Sequence, residues 1–181
     1  MTDAAFTLPF SENDLAKIGY LVTLWNEVEL LLNFSIVAAL QVDVDAAAAI
    51  FGSTTVNHRL TILSKVGPAR FKDRPGMQSL LDECINDTNQ LSTYRNEIVH
   101  AKWAQGSHLT DPKKGWNKLN SKKPVDFDII DAKIEQIAVL TNKFAVIEYA
   151  LLKGYVEDNG LNISSEPPAW RDRFSPKIPL D

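Results

Sequence analysis

From Ser11 to about Leu40 the apolar positions Ile18, Leu21, Val22, Trp25, Val28, Leu32, Ile36 and Ala39 recur at helical spacing. Ser11 with Asp14 three residues later resembles a capping box, no proline interrupts, and Gly19 is the one weak helix former. The pattern predicts a helix of about 30 residues, roughly 45 Å long, a length that belongs to bundles. Asn26, Glu29 and Asn33 lie three and four apart, so they share a polar stripe on an otherwise apolar rod. Asp43 ahead of four alanines predicts a short helix to Phe51, ended by Gly52. Ser53 or Thr54 then caps a segment with Val56, Leu60, Leu63 and Val66 on one face, stopped by Gly67-Pro68.

After a polar, basic loop from Arg70 to Gly76, the stretch from Met77 to about His100 repeats the helical pattern with Leu80, Leu81, Cys84, Ile85, Leu91 and Ile98. Residues 104–125 lose periodicity and collect glycine, proline and lysine, a loop long enough to be functional. Asp126 or Asp128 begins a last long helix to about Glu157, with Ile130, Ile134, Ile137, Phe144, Ile147 and Leu151 inward and Asn159-Gly160 at its end. The fold class that follows is all-α: a four-helix, up-down-type bundle with an extra short helix, over residues 1–160. Residues 161–181 hold Pro167, Pro168, Pro176 and Pro179 and read as an extended tail, which Trp170 and Phe174 would lay on the body.

Composition narrows the function. Of 181 residues, 45% are apolar and 23% charged, which suits one packed domain with a solvated surface. The single Cys84 excludes an internal disulfide framework and any multi-cysteine zinc site, and Cys84 itself lies on an apolar face as a core residue. The three histidines show no metal-ligand spacing, so neither metal nor other cofactor is expected. No basic start precedes an apolar run at the N-terminus, and no uninterrupted apolar stretch reaches about 18 residues, so the expectation is a soluble, cytoplasmic chain without membrane contact. The net charge of −4 argues against nonspecific coating of nucleic acid. That charge is segregated: residues 66–123 hold ten Lys/Arg against six Asp/Glu, whereas both flanking thirds are net acidic. An anionic ligand would go to the basic middle.

Phosphate-loop, nucleophile-elbow and metalloprotease signatures are missing from the sequence. The chemistry-bearing run is Tyr94-Arg95-Asn96-Glu97-Ile98-Val99-His100-Ala101-Lys102-Trp103, at the end of the helix that starts near Met77. Imidazole takes or gives a proton near neutral pH. Guanidinium grips a phosphate through paired hydrogen bonds, and a carboxamide orients either one. Together they suffice to cleave RNA without a metal.

Arg95-Asn96-Glu97-Ile98-Val99-His100 resembles the signature of the HEPN superfamily: an Arg, often followed by a polar residue, then a His after four to six residues. The motif and the helix order around it, over about residues 11–157, carry the resemblance. It implies a HEPN-like helical bundle, usually a homodimer whose two motifs face each other. Many members are metal-independent endoribonucleases of toxin–antitoxin, antiphage-defence or RNA-processing systems, which implies an RNA substrate and an antitoxin or neighbouring-gene partner. On that reading Arg95 clamps phosphate, Asn96 orients and His100 is the general acid/base. Some members carry a Tyr two residues after the His that a nucleotidyltransferase partner modifies; Lys102 stands there here, so this modification is not expected. The alternative is a catalytically inactive HEPN-fold dimer acting as an interaction or regulatory module.

On an ideal helix Asn96 and His100 face the same way, whereas Arg95 and His100 are about 140° apart around the axis and about 7.5 Å along it. Either the helix bends near His100, or Arg95 of one chain meets His100 of another across a two-fold axis; the second route is favoured. The remaining candidates have plainer readings beside functional ones. Lys102, Lys113 and Lys114 are a solvated loop or a phosphate-steering surface, and Trp103 is a packing plug or a base-stacking platform. Glu29 is a solvated or interface position, or a support for the site. His58-Arg59 is surface or interhelix structure. Arg95 and His100 could themselves be an ordinary cation and a helix-terminal histidine.

Overall fold

The computed structural model describes residues 11–51, 53–100, 102–103, 109–110 and 129–158. The chain is all-α. Its elements are α1 (Glu12–Leu40), α2 (Val44–Phe51), α3 (Val56–Arg70), α4 (Pro75–His100) and α5 (Ile130–Asp158). Between α4 and α5 a short antiparallel ladder pairs β1 (Lys102–Trp103) with β2 (Leu109–Thr110), Lys102 opposite Thr110 and Trp103 opposite Leu109. This ladder falls partly within the stretch read from sequence as a loop.

The start signals act as the pattern predicts. Ser11 Oγ accepts from the Asp14 N–H at 3.2 Å while the Asp14 carboxylate accepts from the Ser11 N–H at 3.0 Å, a complete capping box. Asp43 Oδ1 accepts from the Ala46 N–H at 2.7 Å and starts α2. Three boundaries differ, the mildest being α4, which starts at Pro75 rather than Met77. The cap of α3 is Thr55, whose Oγ1 accepts from the His58 N–H, rather than Ser53 or Thr54. Gly67-Pro68 does not end α3, which runs on to Arg70. Proline forfeits one N–H, but here the loss falls in the last turn, and the Phe71 N–H closes that turn onto the Pro68 carbonyl at 3.2 Å.

The direction of the helices corrects the up-down arrangement. Lys17 and Asp131 pair at 2.6 Å, so the N-terminal ends of α1 and α5 lie together and these extensively packed helices run parallel. Arg59 near the start of α3 reaches Glu29 and Asn33, and Arg70 at its end reaches the Ala39 carbonyl, so α3 also follows α1. Lys143 of α5 reaches Glu83 and Asp87 of α4, while Lys133 lies 6.0 Å from the Tyr94 ring centroid, so α4 opposes α5. The sense is up, up, down, up for α1, α3, α4 and α5. The physical cause is α2, which adds the extra crossing that lets α3 repeat the direction of α1.

α1 packs most extensively on α5, then on α3, and touches α4 across the bundle. Leu21, Trp25, Val28, Leu32 and Ile36 form its buried seam, meeting Leu63, Leu81, Cys84, Ile137, Phe144 and Ile147. Each such side chain contributes about 2 kcal/mol on leaving water. By length and composition α1 would cross a bilayer, but half of its most apolar window is buried in the bundle, which accounts for that apolarity. Burial also pushes the Cys84 thiol up to about 12, leaving it an unreactive core residue.

Two sites test this packing. A methyl group on Gly67 would sit 2.5 Å from Leu81 Cδ2, a fully buried side chain. Gly67→Ala is expected to destabilise by about 1–2 kcal/mol despite its better helix propensity, read as a lower urea midpoint at unchanged m. Glu148 lies on the inward stripe between Phe144 and Leu151, and burial pushes its carboxyl up. A raised carboxyl destabilises the fold while ionised, so stability rises as pH falls through its folded pKa. Glu148→Gln should raise the thermal midpoint at pH 7 by up to about 3 °C, a gain that vanishes below about pH 4.

Candidate functional site

α3 has 15 residues and α1 has 29. The bonds from α3 fall on Glu29, Asn33 and Ala39, the C-terminal half of α1. The N-terminal half of α1 and the last turns of α4 therefore meet at an end of the bundle that α3 does not flank. Apolar side chains remain in contact with water there, Leu15 at 41% and Val99 at 38% exposure. Arg95, Asn96 and His100 belong to this end.

Arg95 follows Thr88 and Leu91 by seven and four residues, so it continues their buried stripe along α4. Its guanidinium is rooted accordingly. Nε is buried and has no hydrogen-bond partner among the described residues, and Nη1 donates to Asn96 Oδ1 at 3.1 Å. Asn96, one position round the helix, is exposed. The carboxamide therefore orients the guanidinium directly. His100 closes α4, and its backbone sits one turn beyond Asn96 on the same side of the helix. The side chain of His100, those of Lys102 and Trp103 on β1, and all of Lys113 and Lys114 lie outside the described residues.

Glu29 is neither a solvated stripe position nor in contact with Arg95. Its Oε1 accepts from Trp25 Nε1 at 2.8 Å and its Oε2 from Arg59 Nη2 at 2.7 Å. Arg59 Nη1 donates to Asn33 Oδ1 at 2.8 Å. The Arg59 side chain is only 10% exposed and Glu29 28%, so the pair is largely removed from water. The reading of Arg59 as interhelix structure holds, and Glu29 is its counter-charge. The signal was present in sequence as two of the three stripe residues on an apolar rod, Glu29 and Asn33; what it faced depended on where α3 docks.

On the α5 side of α4, away from Asn96, a groove of about 490 Å³ opens between Asp87, Gln90 and Leu91 and Lys133, Gln136 and Val139. It includes none of the sequence-predicted site residues. No group of His, Cys, Asp and Glu that could hold a metal ion occurs among the described residues. No protein family, curated protein or solved structure matches the chain.

Removing Arg59 would strand the Glu29 carboxylate in a mostly buried position. Arg59→Leu is expected to cost about 2–3 kcal/mol, and the double change Arg59→Leu with Glu29→Leu markedly less. Chemical denaturation of the two single variants and the double variant measures the coupling; an additive result would remove the pair from its structural role.

Proposed function

We propose that this chain is an HEPN-type endoribonuclease that cleaves RNA without a metal, in a groove shared by two copies. The observation that carries the reading is the Arg95 guanidinium, rooted in the core stripe of α4 and held by Asn96 at the exposed end of that helix, one turn before His100. A cation anchored in this way is already ordered before phosphate arrives, which is what charge stabilisation in a transition state demands.

The chemistry balances without a cofactor. The 2′-oxygen of RNA attacks the adjacent phosphorus and the P–O5′ bond breaks, leaving a 2′,3′-cyclic phosphate and a 5′-hydroxyl. One His100 imidazole takes the 2′-hydroxyl proton, and a protonated imidazole from the second copy delivers one to the departing 5′-oxygen. Arg95 holds the non-bridging oxygens as charge builds. Leu15 and Val99, exposed among the described residues, offer apolar surface for a second copy, and the 140° separation of Arg95 from His100 on one ideal helix favours completion of the site in trans. The toxin–antitoxin or antiphage setting, with a neutralising partner encoded nearby, belongs to the same proposal and rests on the motif alone.

The test is cleavage of total RNA in the presence of EDTA. Activity should survive the chelator, and His100→Ala and Arg95→Ala should each lower it by about 100-fold or more. Mixing the two inactive variants should restore part of it if the groove is shared; no recovery would remove the trans arrangement. A stable dimer that never cleaves RNA would replace the enzyme reading with the inactive interaction module.

A further inference from the structure

The turn between α3 and α4 carries a charge pattern that the proposed cleavage site does not use. Lys72 and Arg74 stand in the turn and Lys65 and Arg70 on the last turns of α3, against one acid, Asp73, and all five are exposed. The support beneath them is rigid. Phe71, 1% exposed, plugs the turn into the core, and the Arg74 N–H donates to the Phe71 carbonyl at 2.9 Å. Arg70 Nε donates to the Ala39 carbonyl at 2.7 Å, and so also answers the C-terminal end of α1, whose last turn has no basic residue. Lys65 and Lys72 serve no such end, and neither they nor Arg70 form an ion pair among the described residues. The first turn of α4 holds no acidic residue, so the positive end of a 26-residue helix adds to the same field. In a chain of net charge −4, Lys72 on the anchored turn, with Lys65 and Arg70 on the last turns of α3 beside it, gathers exposed positive charge where an extended anion could lie.

We propose that the α3–α4 turn is a second contact for the RNA phosphate backbone, an inference that rests on the ribonuclease reading and narrows its substrate. α4 joins the two places: it starts at this turn and ends at His100, and its 26 residues span about 39 Å. An oligonucleotide of a few residues reaches only one of them. The substrate class is therefore RNA long enough to run the length of α4, gripped at the turn by ion pairing without base readout and cut at the far end.

The experiment compares a long structured RNA with a tetranucleotide, for the full-length wild-type protein and for Lys65→Glu/Lys72→Glu, with affinity measured at several salt concentrations and cleavage followed in parallel. A Lys65→Gln/Lys72→Gln variant separates loss of charge from its reversal, and circular dichroism checks the fold. Wild type should bind the long RNA at least about tenfold more tightly than the tetranucleotide. The Glu variant should lose most of that advantage and flatten the salt dependence by the equivalent of about two phosphate contacts, the Gln variant should fall between, and tetranucleotide cleavage should not change. Equal long-RNA affinity in wild type and both variants would overturn the second contact while leaving cleavage intact. Wild type that binds and cleaves neither RNA would sink the ribonuclease reading, and the second contact with it; binding of anionic vesicles in place of RNA would reassign the turn to another partner.

Discussion

Arg59 carries a full positive charge into a place where a tenth of its side chain meets water, and α1 supplies what makes that tolerable. Glu29 answers the charge, Asn33 takes a second N–H, and Trp25 fixes the carboxylate from the other side. Ion pairs taken out of water bring little net stability, because desolvation offsets most of the Coulomb gain. Their consequence is positional, since any other docking of α3 would leave a charge without its partner. With Arg59 on Glu29 and Arg70 on the Ala39 carbonyl, α3 is held along the C-terminal half of α1 and runs in the same direction.

The rest of the architecture follows from that placement. A helix that repeats the sense of α1 needs a return segment, which α2 provides, and the hairpin through Phe71 then turns α4 back. α3 is about half the length of α1, so one end of the bundle lies beyond its reach. The Arg95–Asn96 pair sits at that end, and the cationic α3–α4 turn lies at the other. The length of α4, 26 residues from this turn to His100, sets the separation between the two regions. Two acidic side chains of α4, Glu83 and Asp87, engage Lys143 of α5, whose ammonium is held in its charged form chiefly by the hydrogen bond to Asp87.

Much of this was legible residue by residue. The capping box at Ser11, the Asp43 cap, the buried seam of α1 and the core placement of Cys84 all follow from local rules, because a helix start and an apolar stripe are defined within a turn or two of chain. The motif at the end of α4 was equally visible, since Arg95 and Asn96 are neighbours and their hydrogen bond needs no other element. The burial of the Arg95 Nε was less so: it depends on Arg95 continuing the stripe of Thr88 and Leu91, and on the core those residues face.

Periodicity, caps and turn residues determined the five helices of the described residues, the caps of α1 and α2, and which side of each helix is apolar. Tertiary structure alone decided their directions, because helical amphipathicity is the same read up or down the axis. It also decided that Glu29 is a counter-charge, since a carboxylate on a helix surface has no assigned partner until another helix arrives, and Arg59 comes from 30 residues away. The extension of α3 past Gly67-Pro68 has the same origin: Phe71 finds a buried seat, and that long-range contact outweighs the local signal to stop.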